Sequence, residues 1–296
     1  MRLSSPGMAR EDTTAAEGRH SIARALAAAA ARIGGDDARA DAELLLAYVL
    51  SRPRAWLYAH GDEAMPPEVA GRYEAMLQRR VQGEPVAYLV GRREFWSLDL
   101  EVTADTLVPR PETELLVELA LERLPAGGAA RVVDLGTGSG AIALAIASER
   151  PQAMVTAVDA SAPALLVAQR NAARLGLSRV RFLRSDWFSA VRDERFDLVL
   201  ANPPYLADDD PHLHEGSLPF EPAAALASGR DGLDALRAIC SSAPAHLQAD
   251  GWLLFEHGLA QGEAARALLR GNGFAKVQTW RDLEGRERAS GGVRPD

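Results

Sequence analysis

The sequence predicts an α/β fold, in which a mostly parallel sheet carries helices on both faces and a small all-helical domain precedes it. Apolar residues recur with helical spacing from residue 21 to about residue 91, and short apolar strands alternate with helices from residue 130 onward. A glycine-rich turn joins the first of those strands to a helix, a position at which open α/β sheets commonly bind ligands.

The N-terminal pattern is helical throughout. An alanine-rich stretch ends at a glycine pair, two aspartates then offer N-caps, and a proline pair opens the last helix of the group. The predicted helices cover residues 21–33, the stretch from Asp37 to Leu50, a short segment around Trp56 and the stretch from Pro67 to Val81. No strand pattern is expected before Phe95.

Near-alternation of apolar residues in the segment that follows predicts a β-hairpin, after which Pro111 and two acids begin a helix. The first residues of the chain are small, polar and charged, without the apolar core of a signal peptide. The predicted organisation is a disordered leader over residues 1–20, a helical domain over residues 21–92, a β-hairpin linker over residues 93–110 and an α/β domain over residues 111–296.

The α/β domain is predicted from the alternation of strands and helices. The predicted strands cover residues 131–134, 154–159, 180–183, 196–201 and 251–256. The predicted helices cover residues 141–149, 162–175, 233–247 and 261–269. This order favours a mostly parallel sheet, because each strand is followed by a crossover helix.

The composition excludes several classes of protein. The single cysteine, Cys240, rules out an internal disulfide and a cysteine-based zinc site, and fits a reducing, cytoplasmic compartment. Apolar runs such as residues 25–31 are far shorter than the roughly 20 residues of a membrane helix, so no membrane span is predicted. With a net charge of −8 and a pI of about 5.4, the chain lacks the basic footprint of nucleic-acid-binding proteins. Nucleic acid is therefore not expected to be the direct substrate.

A glycine-rich loop follows the first strand of the α/β domain. It contains Gly136, Thr137, Gly138, Ser139 and Gly140, and glycine lets a backbone turn sharply and approach a ligand closely. The spacing differs from the G-x-G-x-x-G of dinucleotide enzymes, and no Lys-Ser/Thr follows as in a P-loop. Taken alone, the loop is also compatible with a tight turn that binds nothing.

Two acids and an indole extend this candidate site. Asp159 ends the second strand, 19 residues after Gly140, where a carboxylate can accept hydrogen bonds from both ribose hydroxyls; a helix N-cap is its alternative role. Asp186 and Trp187 follow the third strand, where they can bind the amino group and the face of adenine, although Trp187 fits the core equally well. Adenosine without a pyrophosphate fits S-adenosyl-L-methionine better than NAD.

The box Asn202-Pro203-Pro204-Tyr205 follows the fourth strand. Proline disfavours a helical backbone in the residue before it, so Asn202 is held extended, and neither proline contributes an N–H. The Asn202 side chain and the Pro203 carbonyl therefore offer two acceptors to a planar –NH2 group, with Tyr205 as a flat wall. This pattern predicts methyl transfer to an amide or amine nitrogen, catalysed by positioning and electrostatics. A rigid turn without chemistry is the alternative.

These motifs together resemble the release-factor glutamine N5-methyltransferase family, also called PrmC or HemK, from about residue 21 onward. Segments outside the loop and the box carry the resemblance as well. They are residues 83–89 (GEPVAYL), 93–96 (REFW), 108–114 (VPRPETE), 186–188 (DWF), 210–213 (DPHL), 220–222 (FEP) and 256–258 (EHG).

The resemblance implies a helical N-terminal domain that recognises the protein substrate, a hairpin linker and a Rossmann-like, seven-stranded methyltransferase domain. It implies methyl transfer from S-adenosyl-L-methionine to the side-chain amide of the glutamine in the Gly-Gly-Gln motif of peptide-chain release factors. Carried over by position, the glycine loop, Asp159, Trp187 and Asn202 would contact the cofactor, and Asn202 to Tyr205 would hold the glutamine. The family usually ends in a regular strand, whereas residues 289–296 here include Gly291, Gly292 and a proline, so a short or frayed last strand is expected.

Other functions stay open at this point. A DNA adenine or rRNA guanine methyltransferase would use a similar box, because an exocyclic amine presents the same geometry as an amide. The glycine spacing disfavours a nicotinamide oxidoreductase, and the intact box disfavours a noncatalytic binding protein. His212 and His214 could bind a metal ion, but no third ligand with supporting spacing accompanies them, so no metal site is predicted.

Overall fold

In the computed structural model of the protein, which describes residues 21–296, the first unit is helical and ends at Val90, and the second begins at Gly91. The predicted leader over residues 1–20 lies outside the described residues. The first unit comprises α1 (Ile22–Ile33), α2 (Ala38–Leu50), α3 (Arg54–Ala59), α4 (Pro67–Val81) and α5 (Val86–Val90).

The helical unit is held together by its own apolar core. Leu26, Leu45 and Leu46 are fully buried in it, and the buried Tyr73 hydroxyl donates a hydrogen bond to the Ala42 carbonyl. The amphipathic helices form because their apolar stripes face this core. The first four helices confirm the prediction, while α5 is not predicted because five residues are too few to show a helical period.

A two-stranded antiparallel hairpin, β1 (Arg92–Phe95) and β2 (Leu98–Glu101), opens the second unit. Trp96 and Ser97 between them have φ of 51° and 58°, the paired left-handed conformation of a tight hairpin turn. The expectation that no strand precedes Phe95 is wrong, because Arg92 already pairs with Glu101. The residues before Phe95 are charged, so this strand shows no apolar alternation in the sequence.

A seven-stranded sheet forms the centre of the second unit, in the order β5-β4-β3-β6-β7-β9-β8. Strands β3 to β7 are parallel, and β9 runs antiparallel to both of its neighbours. This arrangement confirms the Rossmann-like methyltransferase fold. After a 3-10 helix (Pro111–Thr113), the α-helices and strands are α6 (Glu114–Arg123), β3 (Arg131–Leu135), α7 (Ala141–Glu149), β4 (Met154–Asp159), α8 (Ala162–Arg174), β5 (Arg181–Arg184), β6 (Phe196–Ala201), α9 (Asp234–His246), β7 (Leu247–Glu256), α10 (Gly262–Gly271), β8 (Ala275–Arg281) and β9 (Glu287–Val293). Further 3-10 helices lie at Ser189–Val191, Pro211–His214, Leu218–Phe220 and Ala223–Ala225.

The last strand is seven residues long and paired on both sides, so the expectation of a short or frayed strand is wrong, although its pairing with β8 contains two register shifts. β9 lies between β7 and β8 and is paired with both. A side chain at Gly291 would place its Cβ 2.5 Å from the Leu253 carbonyl oxygen and 2.5 Å from the Leu254 side chain. Glycine therefore allows close packing of a strand that has neighbours on both sides, and it does not mark the end of the strand.

The sheet positions the predicted site at one edge. Successive strand residues face opposite sides of the sheet, so that Val132 belongs to one buried cluster and Val133 to the other. Because β3 to β7 are parallel, their carboxyl ends meet at the same edge. The glycine loop, Asp159, Asp186 and Asn202 each follow or end one of these strands.

Candidate active site

The glycine loop turns through three left-handed glycines. Gly136, Gly138 and Gly140 have φ of 70°, 55° and 88°, values that other residues rarely adopt. The N–H groups of Gly136 and Thr137 both donate to the Val158 carbonyl at 2.9 Å. These bonds tie the loop to the end of β4.

The Asp159 carboxylate connects the glycine loop to the start of α8. One oxygen accepts the Gly138 N–H at 2.9 Å, and the other accepts the Ser161 N–H at 2.8 Å. Ser161 is the N-cap of α8, because its hydroxyl accepts the Ala164 N–H, so the alternative N-cap role of Asp159 is wrong. Each carboxylate oxygen has a further lone pair for a ligand.

Asp134, near the end of β3, is a buried acid that the sequence analysis does not single out. Its Oδ2 accepts the Thr137 hydroxyl at 2.6 Å and the Ala143 N–H at 3.2 Å, while Oδ1 is buried without a hydrogen-bond partner. Burial raises the pKa of Asp134 to about 7, and the neighbouring Asp159 charge acts in the same direction. Asp134 thus stabilises the glycine loop and the start of α7 through these two hydrogen bonds. Its position just before the loop is the feature of the sequence that could have identified it.

Asp186 and Trp187 form another wall, after β5. Trp187 has a φ of 43°, and its ring lies 3.8 Å from the position that a Cβ at Gly136 would occupy. The same ring packs against the buried cluster on one face of the sheet. The Trp187 side chain therefore both lines the site and packs against the core, so the two alternatives hold together.

These groups enclose a first cavity of about 290 Å³. Gly140 and Tyr205 are not among its lining residues; a Cβ at Gly140 would lie 3.0 Å from Leu144, so this glycine allows α7 to pack. The predicted site residues that the structure brings together around the first cavity are Gly136, Thr137, Gly138, Ser139, Asp159, Asp186, Trp187, Asn202, Pro203 and Pro204.

A second cavity of about 500 Å³ adjoins the first, and Tyr205 is part of its wall. Burial raises the pKa of Tyr205 to about 12, so its hydroxyl stays protonated. The residues shared by both cavities are Leu107, Arg110, Asn202, Pro203 and Ala225. The Asn-Pro-Pro-Tyr box therefore lies where the two cavities meet.

Arg110, which lines both cavities, is paired with a buried acid. The Glu221 carboxylate accepts the Val108 N–H at 3.0 Å and pairs with the Arg110 guanidinium. Neither residue of this pair is among the site residues predicted from the sequence. Both residues lie in segments that carry the family resemblance, residues 108–114 and 220–222, so the resemblance could have identified them.

Asn202 is held by a chain of hydrogen bonds. Its Nδ2 donates to Thr113 Oγ1 at 3.0 Å, and the Thr113 hydroxyl donates to Glu256 Oε2 at 2.6 Å. Thr113 and Glu256 are 4% and 1% exposed. These two residues also lie in segments of the resemblance and are not predicted as site residues.

The structure offers no metal centre in the part of the chain that it describes. Within residues 21–296, no group of three or more His, Cys, Asp or Glu side chains could hold a metal ion. His212 is exposed, and its Nδ1 lies 2.7 Å from Asp210 Oδ1. Over the same residues, no helix is long and apolar enough to cross a membrane.

Relatives with known names cover both units. Residues 21–91 match the model of the PrmC N-terminal domain, and residues 112–224 match the methyltransferase small domain. A release factor glutamine methyltransferase from Xylella fastidiosa is 54% identical over 270 residues, which cover 91% of this chain and 97% of that protein. The chain belongs to the release factor glutamine methyltransferase family. A second member, from Pseudomonas aeruginosa, is 53% identical over 251 residues, covering 85% of this chain and 91% of its own length.

A solved methyltransferase structure shares this fold. A methyltransferase from Pyrococcus furiosus superimposes with a TM-score of 0.52 at 16% identity, covering 75% of this chain and 98% of that one. At this identity the likeness shows the fold alone. Membership of the family makes the protein a methyltransferase, which rejects the nicotinamide oxidoreductase and the noncatalytic binding protein.

Proposed function

We propose that the protein transfers a methyl group from S-adenosyl-L-methionine to the side-chain amide nitrogen, N5, of the glutamine in the Gly-Gly-Gln motif of peptide-chain release factors. The observation that carries the proposal is that Asn202 and Pro203 line both cavities. A cofactor in the first cavity and a side chain in the second would meet at these two residues. The names of the relatives support the same substrate.

The first cavity suits the cofactor. Asp159 offers lone pairs to two ribose hydroxyls, Asp186 and Trp187 offer an acceptor and a flat ring to adenine, and the loop lacks the lysine of a phosphate site. When bound, the cofactor would supply an electrophilic methyl group on a sulfonium and would be left as the thioether S-adenosyl-L-homocysteine. The amide nitrogen that gains the methyl group would lose one of its two protons to water. The proposed cofactor-binding residues that line this cavity are Gly136, Thr137, Gly138, Ser139, Asp159, Asp186, Trp187 and Asn202. Gly140 ends the same loop but does not line the cavity, so its proposed part is to shape the loop.

The acceptor side must activate a poor nucleophile, because an amide nitrogen shares its lone pair with the carbonyl. The Asn202 side-chain oxygen and the Pro203 carbonyl would accept the two N–H groups of the glutamine amide. Accepting both hydrogens draws electron density onto the nitrogen and aligns its lone pair with the first cavity, so catalysis is positional and electrostatic. Pro204 stiffens this turn, and Tyr205 forms a wall of the second cavity.

The decisive experiment supplies labelled S-adenosyl-L-methionine to the protein with release factor, DNA or ribosomes, side by side. We expect label on the release factor alone, and mass spectrometry should place one methyl group on the Gly-Gly-Gln glutamine. A release factor in which that glutamine is replaced is the matched control and should stay unlabelled. Label on DNA or ribosomal RNA would instead support the exocyclic-amine alternative.

We also propose that the helical unit recognises the release factor. Four residues cannot distinguish one glutamine from all others, and a specific protein complex buries about 1,200–2,000 Å² in total. On α2 of this unit, Leu44 and Tyr48 are 40% and 48% exposed and lie one helical turn apart. Replacing both with serine should raise KM for intact release factor but leave methylation of a short Gly-Gly-Gln peptide unchanged.

The control for this experiment is Leu166→Ser on α8, which removes a similarly exposed leucine from the second unit. We expect its KM for release factor to match that of the wild type. An unchanged KM in the Leu44 and Tyr48 double variant would contradict recognition through this face.

A further inference from the structure

The Asn202 side chain can be turned in two ways, and only one of them presents its oxygen to an acceptor amide. We propose that Thr113 and Glu256 are positioning residues that set this orientation through the chain of hydrogen bonds from Asn202 to Thr113 to Glu256. The inference rests on the proposed function and deepens it, because it names the groups that prepare Asn202 to accept the glutamine amide.

The direction of the chain follows from its far end. In the structure the Thr113 hydroxyl donates its hydrogen to Glu256. This direction is obligatory once Glu256 is ionised, because an ionised carboxylate only accepts hydrogen bonds. The Thr113 oxygen then has only lone pairs to offer, and the Asn202 group that faces it must be the NH2. The Asn202 oxygen is left free for the glutamine amide.

The opposite orientation is penalised. It would set the Asn202 oxygen against the Thr113 oxygen, or else take the hydroxyl hydrogen away from a buried carboxylate. Glu256 is 1% exposed and lines neither cavity, so water does not replace the donor that this carboxylate would lose. Thr113 ends a 3-10 helix and Glu256 ends β7, and both therefore belong to regular elements that hold them in place.

The charges around Glu256 define the conditions of a test. Burial raises the pKa of Glu256 to about 7, against which Arg288 and Arg110 favour the carboxylate, while Glu112 opposes it. Tyr205 also faces this charge, which contributes to the raised pKa of its hydroxyl. The assays described below are run at about pH 8.5, because Glu256 is ionised at a pH above its pKa.

The first arm compares Thr113→Val, which keeps the shape but removes the hydroxyl, with Thr113→Ser, which keeps the hydroxyl. At saturating cofactor, kcat on release factor should fall by about tenfold or more in Thr113→Val, because loss of alignment by an ångström costs up to about 100-fold. Thr113→Ser should restore most of the activity. Thr156→Val is the matched control: it removes a buried hydroxyl on β4 that bonds Arg181 instead.

The second arm separates positioning from stability. Glu256→Gln offers Thr113 either an oxygen or an NH2, so the chain loses its single direction and kcat should fall. The same change removes a buried charge, so at about pH 8.5 the variant should melt at or above the wild-type temperature. If Glu256 only stabilised the fold, Glu256→Gln would lower both kcat and the melting temperature.

The third arm needs no acceptor protein. In nitrogen-15-labelled protein, the Asn202 side-chain amide, identified by its loss in Asn202→Ala, should shift in Thr113→Val and stay unchanged in Thr113→Ser. This signal tests the inference even if the wild type methylates no release factor, a result that would reject the proposed function instead. Wild-type kcat in Thr113→Val, wild-type kcat in Glu256→Gln, or an unshifted amide would each overturn the inference.

Discussion

Asp159→Ala is expected to weaken binding of S-adenosyl-L-methionine about 100-fold or more. The carboxylate already accepts two backbone N–H groups and keeps one lone pair on each oxygen for the ribose. A hydrogen bond to a charged group contributes about 1.5–3 kcal/mol, so two such bonds contribute about 3–6 kcal/mol. At 1.4 kcal/mol for each factor of ten, the lower end of this range corresponds to about 100-fold. The lower end applies because Asp159 is only partly buried.

Isothermal titration calorimetry on wild type, Asp159→Ala and Asp193→Ala measures this loss. Asp193 is an exposed acid of the same domain that lines neither cavity, so its variant carries the same charge change and should bind normally. Melting temperatures show whether the glycine loop survives when the Gly138 and Ser161 N–H groups lose their acceptor. A dissociation constant within about threefold of wild type, under 1 kcal/mol, would remove Asp159 from the ribose role.

Asn202→Ala should lower turnover on release factor by at least about tenfold at a near-normal melting temperature, because it deletes an acceptor at the reacting amide; near-normal turnover would refute the mechanism. Glu256 should lose its proton at a pH of about 7 when folded, against 4.5 ordinarily, so the stability of wild type relative to Glu256→Gln should fall by up to about 3 kcal/mol as pH rises through this window. Denaturant titrations with parallel pH profiles would contradict this. Gly291→Ala should destabilise the fold by about 1–3 kcal/mol through overpacking, whereas Gly271→Ala, which meets open space, should not; calorimetry that ranks them equally would disprove the packing account.

The sequence predicts the parallel strands and the groups at their ends, because apolar runs, glycine spacing and strand-end acids are local signals. It does not predict β8, in which no residue is fully buried and apolar alternation is weak. The hydrogen-bond chain that holds Asn202 also cannot be predicted from local sequence, because Thr113 and Glu256 are 143 residues apart and come into contact only in the folded protein. The cytoplasmic location, the leader and the domain limits stay predictions.

The place of β9 between β7 and β8 has a consequence for how the protein is made. The ribosome synthesises β8 first, yet β8 reaches the sheet only through β9, so it has no partner until residues 287–293 have left the exit tunnel. Until then β7 presents an open edge that contains Leu253, Leu254 and Phe255, and such an edge readily pairs with other chains. A nascent chain stalled before β9 would therefore be prone to aggregation, and β8 can join the sheet only after β9 has been made.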